Sequence, residues 1–107
     1  MEEQNGMKIF LDTAETDVIR KHFSTGLIDG VTTNPTLIRK SGRNPEEVYQ
    51  EIKDIGLQDI SMEVIGDKLN MISEGRRLAK KFGKVATIKV PCTPNGLAAC
   101  KELTKDH

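Results

Sequence analysis

Four compact apolar runs, each followed by a stretch of helical spacing, organise the chain. Lys8-Ile9-Phe10-Leu11-Asp12 is the first and reads as a strand ended by Asp-Thr. Behind it Val18, Ile19, His22 and Phe23 recur at helical spacing, with Thr13 as the expected N-cap and Gly26 as the stop. Leu27 to Thr33 predicts a second strand, broken at Asn34-Pro35 because proline cannot continue a central ladder. A short helical turn from Thr36 to Ser41 stops at Gly42. Asn44 then caps a helix that opens Pro45-Glu46-Glu47, with proline at the first helical position and acids in the first turn. Its apolar stripe is Val48, Ile52 and Ile55, and Gly56 ends it.

Ile60 to Val64 predicts a third strand. Asp67 to Phe82 follows as a helix with Leu69, Ile72, Ala79 and Phe82 on one face and Arg76, Arg77, Lys80 and Lys81 mostly outside. Val85 to Val90 is the fourth strand. Its central run, Ala86-Thr87-Ile88-Lys89-Val90-Pro91, reads as buried and yet carries a lysine, a costly group to desolvate. A last helix starts at Thr93 or Pro94 and runs through Leu97, Lys101 and Leu103. Strands that alternate with helices predict an α/β fold with a parallel sheet and right-handed crossovers. Residues 1–6 are polar and read as an N-terminal tail, and residues 7–107 as a single domain.

The two-residue period of a strand sorts these runs into faces. Ile9 and Leu11 oppose Phe10 and Asp12. Val31 and Thr33 oppose Gly30, Thr32 and Asn34. Ile60, Met62 and Val64 oppose Ser61 and Glu63, and Ala86, Ile88 and Val90 oppose Val85, Thr87 and Lys89. One face is largely aliphatic. The other ends in a functional group on every strand: Asp12, Thr32 with Asn34, Glu63 and Lys89. In a parallel sheet with helical crossovers the C-terminal edge is where ligands bind. Each group alone has a structural explanation: Asp12 or Asn34 as a cap or turn residue, Thr32 as a β-former, Glu63 with Lys89 as an ion pair. Those explanations leave unexplained why all of them share one face and one end.

Composition narrows the chemistry. The chain has 107 residues, with 16 Lys+Arg balancing 16 Asp+Glu, so neither a nucleic acid nor an anionic membrane surface is expected as partner. Cys92 and Cys100 stand apart from any histidine cluster. They read as reduced thiols of a cytoplasmic protein, and no metal site is expected. A lysine amine forms Schiff bases with carbonyl substrates, and it attacks only when unprotonated. Two acids and an amine in one dry site share protons, as carbonyl addition requires.

Phe10-Leu11-Asp12-Thr13, Gly30-Val31-Thr32-Thr33-Asn34-Pro35-Thr36-Leu37-Ile38, and Ile88-Lys89-Val90-Pro91 with Thr93 and Gly96-Leu97 together resemble the transaldolase family. The likeness is to its short subfamily, which includes fructose-6-phosphate aldolase, and it runs from Met7 to about Leu103. It implies a (β/α)₈ TIM barrel and a metal-free, cofactor-free class I mechanism on sugar phosphates. Lys89 matches the Schiff-base lysine and Asp12 the acid that takes the C4 hydroxyl proton. Asn34 matches a residue that holds the dihydroxyacetone portion. Thr32 and Glu63 match residues that orient a catalytic water. Glutamate at position 63 resembles the transaldolases, whereas the aldolase branch tends to carry glutamine.

A (β/α)₈ barrel typically needs about 250 residues. The expectation is therefore a parallel (βα)₄ half of the barrel, truncated, without the later strands where the resemblance places a phosphate-binding arginine, its partner serine and a water-positioning aromatic. Open strand edges then favour homo-oligomers or other association. Two alternatives from other classes are a non-catalytic split product that serves only in assembly, and a small doubly wound phosphoacceptor domain. The latter needs clustered acids after strand one, where Asp12 stands alone.

Overall fold

A computed structural model of the chain describes residues 7–106, so the tail assigned to residues 1–6 and the end of the domain at residue 107 lie outside the described residues. The elements follow the order β1 (Phe10–Asp12), α1 (Thr16–Phe23), β2 (Gly30–Thr32), α2 (Pro35–Ser41), α3 (Pro45–Ile55), β3 (Asp59–Glu63), α4 (Lys68–Phe82), β4 (Ala86–Lys89) and α5 (Pro94–Thr104), with a short 3₁₀ turn at Gly83–Val85. The four strands form one parallel sheet in the order β1-β2-β3-β4. This is the (βα)₄ half-barrel topology. The strand order never reverses, which a doubly wound domain requires.

Burial separates the two faces as strand parity demands. Val31, Ile60 and Met62 are fully buried under the helices, whereas Asp12, Thr87 and Lys89 on the other face are exposed. The core joins those aliphatics to Ile19 of α1, Val48, Tyr49 and Ile52 of α3, Met71, Leu78 and Phe82 of α4 and Ala99 of α5. Tyr49 meets Phe82 edge to face at 5.9 Å between ring centres, which ties α3 to α4.

Capping side chains set most helix starts. Asn34 Oδ1 accepts from the Leu37 N–H, Asn44 Oδ1 from Glu46, Asp67 Oδ1 from Asn70 and Thr93 Oγ1 from Gly96. The exception is α1. Thr13 is not its cap: its hydroxyl accepts from the Glu15 N–H and its own N–H donates to the Thr32 carbonyl, so Thr13 stays with the sheet. The helix begins at Thr16, with Glu15 at the cap position and no side-chain cap bond.

Other boundaries move for identifiable reasons. β1 and β2 are shorter than the apolar runs. Before them the Asp29 carboxylate takes the Ile9 N–H at 2.7 Å, and after them Thr33 turns to a side-chain partner. α2 includes Pro35 and spans seven residues rather than one turn. Leu69 does not belong to the buried face of α4: it is 75% exposed, and Met71, Ile72, Gly75, Leu78 and Phe82 form the buried stripe. β4 is not a buried strand either. It alternates between half-buried and exposed positions, since among the described residues nothing pairs with its outer edge.

Candidate active site at the C-terminal edge of the sheet

Strand register carries each predicted group to the same place. Asp12 pairs with Thr32 and Thr32 with Ser61, which in turn pairs with Thr87; one level higher, Glu63 pairs with Lys89. In parallel strands paired residues point to the same side, so these side chains line the bare face. Glu63 and Lys89 close their strands, and Asn34 lies two residues past Thr32 at the start of α2.

The contacts between these groups are polar and sparse. The Thr32 hydroxyl donates to Asp12 Oδ1 at 2.9 Å. Lys89 Nζ lies 3.9 Å from Glu63 Oε1, a long ion pair, and 3.5 Å from the Thr33 carbonyl oxygen. The Lys89 side chain is 43% exposed and that of Glu63 18%, so the amine has room for a substrate carbonyl while the carboxylate is partly shielded. Asn34 is a cap and a site residue at once. Its Oδ1 is committed to the Leu37 N–H, which leaves the amide N–H₂ as the group that could donate to a ligand.

Three further residues belong to this region. Thr33 and Ser61 exchange two hydrogen bonds, Thr33 N–H to Ser61 Oγ at 2.9 Å and Thr33 Oγ1 to the Ser61 carbonyl at 3.0 Å. Tyr49, from the helix layer, lines the cleft beside Glu63. Burial pushes its phenol above the usual range, the Thr33 side chain opposes this, and the Glu63 and Glu46 charges add to the rise. In the sequence Thr33 had looked like a filler of the aliphatic face. The doubled threonine of Thr32-Thr33, one hydroxyl per face, was the signal available. Tyr49 offered none, because a tyrosine beside the Val48, Ile52 and Ile55 stripe passes for core.

Beside Glu63 a cleft of about 320 Å³ opens between α3 and α4, lined by Tyr49, Val64, Asn70 and Arg77 among others. A larger groove of about 650 Å³ lies on the helix side of β4, against Ile88, Val90 and Leu103, away from the polar edge. Among the described residues no cluster of three or more His, Cys, Asp or Glu side chains could hold a metal ion, and Cys92 and Cys100 are free and exposed. No helix among them is long and apolar enough to cross a membrane.

An amine, two carboxylates, a hydroxyl and an amide at the mouth of a parallel sheet can add to a carbonyl and move protons around the adduct. The family model described as Transaldolase/Fructose-6-phosphate aldolase matches residues 9–107. The chain belongs to this family. It is similar to proteins named "Probable transaldolase" from several organisms. That of Nitrosopumilus maritimus is 46% identical over 101 residues, which are 94% of this chain and 45% of the relative. That of Parvibaculum lavamentivorans is 52% identical over 99 residues, 92% of this chain and 45% of the relative. That of Geobacter metallireducens is 52% identical over 100 residues, 92% and 46% respectively. The chain thus spans less than half the length of these relatives. In this transaldolase-family half-barrel all five expected residues, Asp12, Thr32, Asn34, Glu63 and Lys89, reach one edge, with Thr33 and Ser61 directly beneath.

Proposed function

We propose that the chain carries the Schiff-base half of a transaldolase site, which transfers a dihydroxyacetone unit between sugar phosphates. The observation that supports this reading best is Lys89 at the strand end, half exposed, with Glu63 3.9 Å away and Asp12 on the same face. The Lys89 amine adds to the C2 ketone of a ketose phosphate such as fructose 6-phosphate or sedoheptulose 7-phosphate, and loss of water gives a protonated imine. Asp12 takes the proton of the C4 hydroxyl. The C3–C4 bond then breaks, its electron pair moves toward the imine nitrogen, and an aldose phosphate leaves. An acceptor aldose phosphate reverses these steps. Thr32 and Glu63 hold the water lost and regained at C2, and the Asn34 N–H₂ donates to the dihydroxyacetone hydroxyls. Such acid–base steps work at hydrogen-bond range, with groups that change protonation. No metal or cofactor takes part, and a cytoplasmic place in sugar-phosphate metabolism fits this chemistry.

Glutamate rather than an amide at position 63 favours transfer over simple aldol cleavage, since a carboxylate can cycle a proton and an amide cannot. The test is to incubate the chain with fructose 6-phosphate, alone and with erythrose 4-phosphate, and to reduce with borohydride. The reading expects a reduced adduct on Lys89 and product that depends on the acceptor. Free dihydroxyacetone released at the same rate without acceptor favours the aldolase alternative. A stable fold with no adduct on any lysine favours the non-catalytic assembly partner.

A further inference from the structure

We propose that Thr33 and Ser61 form a positioning clamp that aims the Lys89 amine. This rests on Lys89 as the nucleophile. The β2–β3 ladder ends at the Thr32–Ser61 pair. The next residue, Thr33, does not extend it. Its N–H is taken by the Ser61 hydroxyl at 2.9 Å, and its own hydroxyl donates to the Ser61 carbonyl at 3.0 Å. Both residues are buried, Ser61 even though its position in β3 faces the bare side of the sheet.

This exchange fixes the peptide plane before Thr33 and the rotamer of its side chain, and the next residue, Asn34, is held by its cap bond to the Leu37 N–H. The Thr33 carbonyl thus sits between two anchored residues. That carbonyl points to Lys89, with its oxygen 3.5 Å from Nζ. The contact is long for a hydrogen bond, so its effect is to orient rather than to hold. Glu63 limits the amine from the other side at 3.9 Å. A four-carbon side chain that is 43% exposed would otherwise sample many rotamers. Behind the clamp, Tyr49 of the helix layer packs edge to face on Phe82.

Thr33→Val and Ser61→Ala each remove one arm of the clamp; Thr33→Ser keeps it. In the 107-residue chain, the nuclear Overhauser contact between the Lys89 ε-methylene and the Thr33 α-proton reads the aim directly. Borohydride trapping with fructose 6-phosphate reads its consequence. Expected are loss of that contact and a maximal trapping rate at Lys89 lowered by about tenfold in Ser61→Ala and Thr33→Val, since misplacement of a reacting group costs rate steeply. The half-saturating sugar concentration should stay unchanged, and Thr33→Ser should trap like the parent. A purely structural strand-end staple would alter thermal stability and leave the trapping maximum and the contact intact. That result overturns the clamp and leaves Lys89 standing. If the parent chain forms no adduct on Lys89, the nucleophile reading fails, and the proton contact still decides whether Ser61 positions the amine. Should Ser61→Ala unfold, Thr33→Val carries the same comparison against Thr33→Ser.

Discussion

The Thr32 hydroxyl donates a 2.9 Å hydrogen bond to Asp12 Oδ1, across the pair that joins β1 to β2. The bond fixes one carboxylate oxygen and leaves the other toward the bare face, where a substrate hydroxyl would meet it. Asp12→Asn keeps the shape and removes the base of the proposed mechanism. Adduct on Lys89 should still be trapped by borohydride, while aldehyde release falls by roughly 10²–10⁴-fold, the range of a general base. Thr32→Val should lower both adduct formation and release. Trapping that disappears in Asp12→Asn with the fold intact would place Asp12 earlier in the reaction.

A second expectation concerns the helix that follows the lysine strand. Gly96 is buried in the first turn of α5, and a Cβ built there would overlap the Pro91 carbonyl oxygen. The chain leaving β4 therefore turns so tightly that only glycine fits beneath it. Gly96→Ala should cost roughly 1–3 kcal/mol, the usual penalty of overpacking. Urea unfolding followed by the fluorescence of the single tyrosine would measure it. An unchanged midpoint would show that α5 shifts freely.

Glu46 ties α3 to α4. Its carboxylate accepts from Arg77 at 2.5 Å and Lys81 at 2.6 Å, and Arg77 also holds Glu74 at 2.7 Å. Those bonds, from Arg77 first, lower the Glu46 pKa from 4.5 to about 2. Folding thus favours the charged form. The contribution is fully present above pH 4.5 and is lost as pH falls through about 2. Glu46→Gln should lower stability at neutral pH by about 0.5–1 kcal/mol, because the cluster is partly exposed. The difference from the parent should vanish near the acid limit. Thermal melts of both proteins across that range check it, and a constant difference would refute the linkage.

At the alkaline end Tyr49 contributes a loss of stability. Its phenol is held above 10 by burial. Folding favours the neutral form, so stability is untouched below pH 10 and declines as pH rises toward the folded-state value. Ultraviolet titration should show tyrosinate forming together with loss of helical signal. Tyrosinate that forms earlier, in a folded chain, would mean the phenol is open to solvent.

β1 and β4 offer unpaired edges among the described residues, and Phe10, 38% exposed, lies on the open face over Gly30. Unpaired parallel edges tend to find another strand. The chain should associate with its own copies as concentration rises, and Phe10→Lys, which puts a charge on the bare face, should weaken this. Sedimentation that shows a monomer at every concentration tested would contradict it.

What the amino-acid sequence determined was the side on which each residue lies. Parity along a strand is a property of the backbone, so Asp12, Thr32, Glu63 and Lys89 could be assigned to one face before any contact was known. The alternation of strand and helix likewise sufficed for a parallel sheet, and the family resemblance with the chain's length made it half a barrel. The tertiary structure decided everything that depends on a neighbour from elsewhere in the chain. Thr13 lost its cap role because it stayed paired to β2 through the Thr32 carbonyl while α1 began only at Thr16. Leu69 stayed in solvent because packing turned the Met71, Gly75, Leu78 and Phe82 stripe of α4 inward instead. Thr33 and Ser61 became part of the site because a hydroxyl replaced the next rung of the ladder. A hydrogen-bonding group takes whichever partner the fold brings near, and that choice is made by the packed chain rather than by local pattern.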